Sequence, residues 1–276
     1  PGISGPGWWS WAPACSCFGR ADRRTVRTVR LVVWYVGTRY AGWQRQPGRP
    51  SVQGELEVAL ARVTGERVRV VGAGRTDAGV HALAQVAHFR TASSLSAERF
   101  VTALNHYLPA DIAVRSAQDA PEAFHARRDA RWRAYRYVIW NRPGRNPFLV
   151  DRALAWEGPL EVARMQRAAE LLVGGHDFAA FCATGSNPRT TWCTVHRFRV
   201  RRRGPFVVVE VVSDRFLRHM VRMLVGTLLE VGAGKRSPEE VGEVLASRDS
   251  QRAGPVVAPG GLYLVRVGYT EWGAGP

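Results

Sequence analysis

The stretch Gly72-Ala-Gly-Arg-Thr-Asp-Ala-Gly-Val-His81 places three glycines, one guanidinium and one carboxylate between two apolar runs. It narrows what the surrounding chain can be. Residues 68–71 before it and 82–89 after it have β-type composition, which predicts a loop between two strands. The glycines let another backbone or a ligand come close, leaving Arg75 and Asp77 as the chemical content. A phosphate-binding loop fits poorly, because the glycine spacing is not G-x-G-x-x-G, no Lys-Ser/Thr follows and no helix opens directly after. The spacing alone suits a catalytic loop or a structural turn in which Arg75 pairs with an acid elsewhere.

Around this loop the chain reads as alternating strands and helices. Residues 29–35 form a strand, and Tyr35-Val-Gly-Thr-Arg-Tyr-Ala-Gly-Trp-Gln-Arg-Gln46 is the loop after it. Arg39, Tyr40, Trp43 and Arg45 in that loop offer stacking faces and phosphate contacts together, which suits RNA. Tyr40 and Trp43 read equally well as anchors packed into the core. Leu56, Leu60 and Val63 mark an amphipathic helix over 51–64 that Gly65 ends. A second helix over 96–107 leads through Asn105-His-Tyr-Leu-Pro-Ala-Asp-Ile-Ala-Val114 into another strand. The order is strand, helix, strand, strand, helix, strand: an α+β half with its helices on one face.

Phe124-His-Ala-Arg-Arg-Asp-Ala-Arg-Trp-Arg-Ala-Tyr-Arg-Tyr137 interleaves basic and aromatic residues more densely than any other segment. A strand over 131–140 puts Arg133, Tyr135 and Tyr137 on one face, although a core tyrosine has the same spacing. After a Pro/Gly-containing connection come a helix over 159–173, the segment His176-Asp-Phe-Ala-Ala-Phe181, a loop over 187–193 and a strand over 197–203. That strand has arginine at alternate positions and ends on three in a row, a pattern also expected of a solvated sheet edge. A strand over 207–213 follows. Phe216-Leu-Arg-His-Met-Val-Arg-Met-Leu-Val-Gly226 then opens a long apolar-faced helix, with Arg218 and Arg222 one turn apart. Ser237-Pro-Glu-Glu240 is a capping box, and Gly261-Leu-Tyr-Leu-Val-Arg-Val-Gly-Tyr269 holds a terminal strand.

Charge identifies the class of partner. In 276 residues, 39 Lys+Arg stand against 23 Asp+Glu, a net +16 carried almost wholly by arginine. Such a field attracts a polyanion, and arginine favours bidentate phosphate contact; biased base composition of a genome would also raise arginine. Cys15, Cys17, Cys182 and Cys193 contain no C-x-x-C pair and the histidines no H-E-x-x-H, so neither a metal site nor a disulfide framework is expected. No apolar run reaches the roughly 18 residues of a membrane span, and the expected location is the cytoplasm. Residues 1–27, with Trp8, Trp9 and Trp11 before a basic stretch, read as a disordered extension outside the fold.

Arg75-Thr-Asp-Ala-Gly-Val-His-Ala82 resembles the catalytic motif of the tRNA pseudouridine synthase A family, whose aspartate is the nucleophile. The loop from Tyr35 resembles the family's first motif, with Val36 in place of its aspartate. Segments at Asn105, His176, Phe216 and Gly261 are similar too, although Cys193 stands where arginine is frequent and Val256, Val257 and Ala258 depart from the usual Thr-Ala-Pro. The resemblance implies an α+β pseudouridine synthase fold of two related halves, 28–120 and 121–276, whose antiparallel or mixed sheets join around a central cleft. It implies a homodimer without cofactor or metal, acting on tRNA uridines 38, 39 and 40 of the anticodon arm. Asp77 would be nucleophile, Arg222 its ion-pair partner, and Tyr135 the ring stacked on the base. Arg75 would hold the base out of the helix, Leu217 would wall the pocket, and Tyr40, Trp43 and Arg133 would contact RNA. A non-catalytic basic RNA-binding protein of the same fold would share the charge and the aromatics and would not need Asp77.

Overall fold

The computed structural model describes residues 25–274 together with Gly2. Trp8, Trp9, Trp11, Cys15, Cys17 and the expectation of a disordered extension lie outside the described residues.

The first run is β1 (Arg27–Tyr35), α1 (Val52–Thr64), β2 (Val71–Gly72), β3 (His81–Thr91), α2 (Ala97–Tyr107) and β4 (Ile112–Ala120). The second run begins with β5 (Trp132–Trp140), β6 (Leu154–Ala155), α3 (Val162–Glu170), β7 (Gly174–Asp177) and β8 (Trp192–Arg203). It ends with β9 (Phe206–Ser213), α4 (Met220–Gly232), α5 (Glu239–Ser247) and β10 (Leu262–Gly268). All strands belong to one ten-stranded mixed sheet, ordered β4-β1-β3-β10-β5-β9-β8-β7, with β2 on β3 and β6 on β5. Within it the order β4-β1-β3-β2 is repeated as β10-β5-β9-β8, so the two runs share one topology. They meet where β3 and β10 pair in parallel, Tyr263 opposite His81 and Leu264 opposite Ala82. That junction is the exit of the glycine-rich loop. This is the α+β pseudouridine synthase fold expected from the sequence.

Strand alternation separates the two faces of the sheet. Val29, Leu31, Val33, Tyr135, Tyr137, Ile139, Val207, Val209 and Val211 are buried. They form one continuous core with Leu56 and Leu60 of α1, Phe100 and Leu104 of α2, Met165 of α3, Leu224 and Leu228 of α4 and Val244 of α5. Their alternates on the C-terminal strands face away from the helices.

Local chemistry explains the element ends. Ser51 accepts from the Gly54 N–H at the start of α1, and Gly65 takes a left-handed φ of 73° at its end. Ser237 and Glu240 exchange side-chain to backbone hydrogen bonds, the reciprocal capping box, so α5 is capped just before Glu239.

Three expectations need correction. The strand before the glycine-rich loop is only Val71–Gly72, because side chains of α1 take the backbone of Val70: Gln53 donates to its carbonyl and Glu57 accepts from its N–H. The helix expected over 159–173 is shorter, since Leu172 and Val173 bond three residues back in a tighter turn. Most consequentially, α4 opens at Met220 and not at Phe216. His219, at φ 61° and ψ 2°, is left-handed and cannot continue a right-handed helix backwards. Arg218 and Arg222 therefore do not stack on one helix face.

Candidate active site

The glycine-rich loop is held by backbone contacts that only its neighbours' small residues allow. A Cβ on Gly37 would run into the Val80 carbonyl oxygen, and one on Gly42, whose φ is 105°, would lie 2.5 Å from the Thr76 carbonyl oxygen. With both lacking side chains, the loop after β1 presses flat against residues 76–80. The Trp43 N–H then donates to the Thr76 carbonyl at 3.1 Å, and the Tyr35 hydroxyl meets Thr76 Oγ1 at 2.8 Å. Gln85 of β3 donates to the Gly74 carbonyl at 2.9 Å. His81 closes the far end. Its Nδ1 accepts from the Gly37 N–H at 2.9 Å, while Nε2 faces the Asp151 and Gly260 carbonyls at 2.7 and 3.0 Å. Only the neutral tautomer protonated at Nε2 satisfies all three partners.

From this frame Asp77 projects as a partly exposed carboxylate between the two runs of the chain. Its Oδ2 is 3.5 Å from Arg222 Nη1 of α4 and 3.5 Å from His219 Nε2. Arg222 is itself oriented by donation from Nε to the Val257 carbonyl at 2.7 Å. The left-handed turn that displaces the start of α4 aims the His219 imidazole at the carboxylate. Burial pushes that imidazole below its ordinary value, a shift that Asp77 opposes and that Arg222 and Arg218 reinforce. At neutral pH it is uncharged and can accept a proton.

Tyr135 lies below this group, 8% exposed, its ring edge-on to Phe216 with centroids 5.0 Å apart. Burial first, and then the charge of Asp77, push its phenol well above the ordinary value, so its proton stays on. Leu217 is half-buried immediately before the His219 turn, and Arg75 is exposed on the glycine-rich loop. A cavity of about 410 Å³ adjoins His219, lined by Ala183, Arg218, Met223, Gln251 and Val256 among others.

The structure thus brings Asp77, Arg222 and Tyr135 together, with Arg75 and Leu217 at the margin, and assigns other work to three residues expected to contact RNA. Tyr40 and Trp43 are 5% and 2% exposed. The Tyr40 hydroxyl donates to Asp111 at 2.6 Å and Trp43 packs on Tyr35, so both are anchors of the loop. Arg133 faces the helices, as its strand position requires. Nη1 donates to the carbonyls of Ala130 and Asp214, and Nη2 to those of Ala73 and Arg127, at 2.9 to 3.0 Å. It is a brace between the glycine-rich loop and the C-terminal half.

Two departures from the family pattern have plain surroundings. Val36 donates its N–H to the carbonyl of Asp111, and it is the Asp111 carboxylate that holds Arg39 and Tyr40. Cys193 is fully buried in the core, with burial pushing its thiol up to about 12.

His81 and His219 were missed as site residues by sequence reasoning. Both lie inside the motifs at Arg75 and Phe216, and that position was the only available signal.

A family model described as tRNA pseudouridine synthase matches residues 31–129 and 168–270, one stretch in each of the two topological repeats. A tRNA pseudouridine synthase A of Moorella thermoacetica is 46% identical over 245 residues, covering 87% of this chain and 99% of the relative. One of Thermoanaerobacter sp. (strain X514) is 43% identical over 244 residues, covering 88% of this chain and all of the relative. One of Methylococcus capsulatus is 46% identical over 244 residues, 88% of this chain and 90% of the relative. With both repeats matched and the glycine-rich loop, α4 and the β3–β10 junction converging on Asp77, the chain belongs to the tRNA pseudouridine synthase family.

Proposed function

We propose that the protein isomerises uridine to pseudouridine in the anticodon arm of tRNA, at positions 38, 39 and 40, with Asp77 as nucleophile. The reading is carried by one observation: a partly exposed carboxylate stands at the junction of the two repeats, faced by the fixed guanidinium of Arg222 and the imidazole of His219. The guanidinium orients the carboxylate as the attacking group.

In the reaction the N1–C1′ bond breaks, the uracil turns, a C5–C1′ bond forms, and the C5 hydrogen leaves as a proton while N1 gains one. Nothing is oxidised or reduced. Asp77 attacks ribose C1′ or uracil C6. Tyr135 stacks on the uracil, and since its phenol keeps its proton it can donate a hydrogen bond but does not act as a base at neutral pH. Neutral His219 is the group beside Asp77 that can receive one. Arg75, exposed at the loop tip, holds the displaced base or its phosphate outside the stem, and Leu217 lines the pocket. The family resemblance supports a homodimeric working form.

Tritium release from uracil C5 of an unmodified tRNA transcript tests the reaction, because rejoining through C5 must expel that hydrogen. Release is expected from the wild type and not from Asp77→Asn. If neither releases tritium while both bind tRNA, the site is not catalytic and the protein is an RNA-binding module.

A further inference from the structure

The arginines of β8 take no part in the site described above. Arg197, Arg199 and Arg201 lie opposite Val212, Glu210 and Val208 of β9, which in turn lie opposite Ala134, Arg136 and Val138 of β5. Ala134 is opposite Arg266 of β10. Cross-strand partners share a face, so these rows all lie on the side of the sheet away from the helices. Five guanidinium groups, on Arg136, Arg197, Arg199, Arg201 and Arg266, therefore decorate the reverse of the C-terminal half. Glu210 is the one carboxylate within these rows, and it is taken by Arg136 at 2.7 Å. Among the described residues Arg197, Arg199, Arg201 and Arg266 form no salt bridge.

Such a row costs stability through self-repulsion and is ordered nonetheless. The Arg197 guanidinium lies 5.2 Å from the centre of the Trp272 ring, which is stacked on His196, and Arg266 lies 5.3 Å from that of Trp132. Trp132 and Trp272 meet edge to face. A guanidinium placed over an indole can still offer N–H groups to a planar or tetrahedral oxyanion. Arg197 Nε is buried with no acceptor. Because the rings are covered by guanidinium groups and Trp132 is 6% exposed, the face offers charge and not a stacking platform for bases. Alternate residues along a strand are about 7 Å apart, so β8 presents a linear series of cations to a linear series of anions. A second copy of this chain would bring like charge to like.

We infer that this helix-free face is a second RNA-binding surface, which holds backbone phosphates of the tRNA outside the segment lodged at Asp77. The inference rests on tRNA being the substrate. Tyr135 and Arg222 belong to the helix side of the sheet, so the two surfaces are back to back. Beyond its pairing with β7 over Trp192 to Val195, β8 is the sheet edge, around which an RNA can pass.

The test is the double variant Arg199→Gln/Arg201→Gln, both positions exposed and unpaired, compared with wild type on a full-length tRNA transcript and on an isolated anticodon stem-loop. Affinity for full-length tRNA should fall about tenfold near 0.15 M salt, and the slope of log K against log salt should become shallower by about 2. Turnover of the stem-loop should stay within about twofold of wild type. Unchanged full-length affinity and salt slope would overturn the inference, as would equal losses on both RNAs. The binding arm is independent of catalysis, so failure of the isomerase reading would show separately, as absent tritium release by the wild type. A face used instead for self-association would appear as a lighter sedimenting species in the variant with tRNA affinity intact.

Discussion

Arg222 Nη1 reaches Asp77 Oδ2 at 3.5 Å across a sequence separation of 145 residues, while its Nε is fixed on the Val257 carbonyl at 2.7 Å. The guanidinium is thereby positioned by one edge and presents the other to the carboxylate. Lysine can keep the charge but not both contacts. Arg222→Lys should lower kcat by about a hundredfold, the rate equivalent of ~2.7 kcal/mol, with Tm little changed. Single-turnover tritium release beside a melting curve checks this, and wild-type kcat in the lysine variant would deny Arg222 its role.

His219 adds a titratable group to the same oxygen, at 3.5 Å. The groups facing it are Asp77, Arg222 and Arg218, and burial holds it below its ordinary value. As pH falls through that depressed value the imidazole becomes a cation, pairs with Asp77 and can no longer accept a proton. The kcat profile should carry an acid limb with an apparent pKa below about 6.5, and His219→Gln should remove that limb while lowering the plateau roughly tenfold to a hundredfold. A profile of the same shape in the variant would show that His219 is only structural.

The two routes to the fold and the site differ in what a sequence can carry. α1 was legible to its ends because Ser51 and Gly65 are local signals, and β5 because its alternation is local as well. The start of α4 was not: the apolar spacing runs on through Phe216 and Leu217, whereas the left-handed backbone of His219 that ends the helix there leaves no mark on that spacing. Tyr40, Trp43 and Arg133 have the composition of an RNA contact. What buries them is Asp111, the backbone of Gly72 and, for Arg133, the carbonyls of Ala73 and Asp214, all brought in from distant parts of the sequence. Conversely the alternate arginines of β8 were visible at once, but their common face needed the register with β9.

Arg133 offers a direct contrast between brace and RNA contact. Arg133→Met fills similar space and leaves the carbonyls of Ala73, Ala130, Arg127 and Asp214 without their donor. At about 1 kcal/mol for each hydrogen bond, with some replaced by water, the loss should be ~3 kcal/mol. That corresponds to a fall in Tm of roughly 6–12 °C for a protein of this size. Calorimetry at neutral pH checks it. A Tm within two degrees or so of wild type, together with weakened tRNA binding, would return Arg133 to the RNA-contacting set.

The same logic applies to pH. His81 Nδ1 accepts the Gly37 N–H, and His88 Nδ1 accepts the Ala126 N–H at 3.1 Å, so a proton on either Nδ1 would face a donor. Burial first holds both imidazoles below their ordinary value; for His81 the Asp151 and Gly260 carbonyls oppose the shift and Arg152 reinforces it, and for His88 the neighbouring His125 and Arg90 reinforce it, with Asp129 opposing. The sign follows from proton uptake. Between the depressed folded value and the unfolded value near 6.5 the unfolded chain binds more protons, so stability rises with pH through that interval. The contribution is complete above about pH 6.5 and is lost as pH falls through the folded values. Tm should therefore hold level from pH 7.5 to about pH 6.5 and drop progressively from there to pH 5. In His88→Asn the amide oxygen can still accept the Ala126 N–H but cannot titrate, and that variant should lose part of the slope. A wild-type Tm that stays flat over this range would mean that neither imidazole is held neutral by its N–H partner.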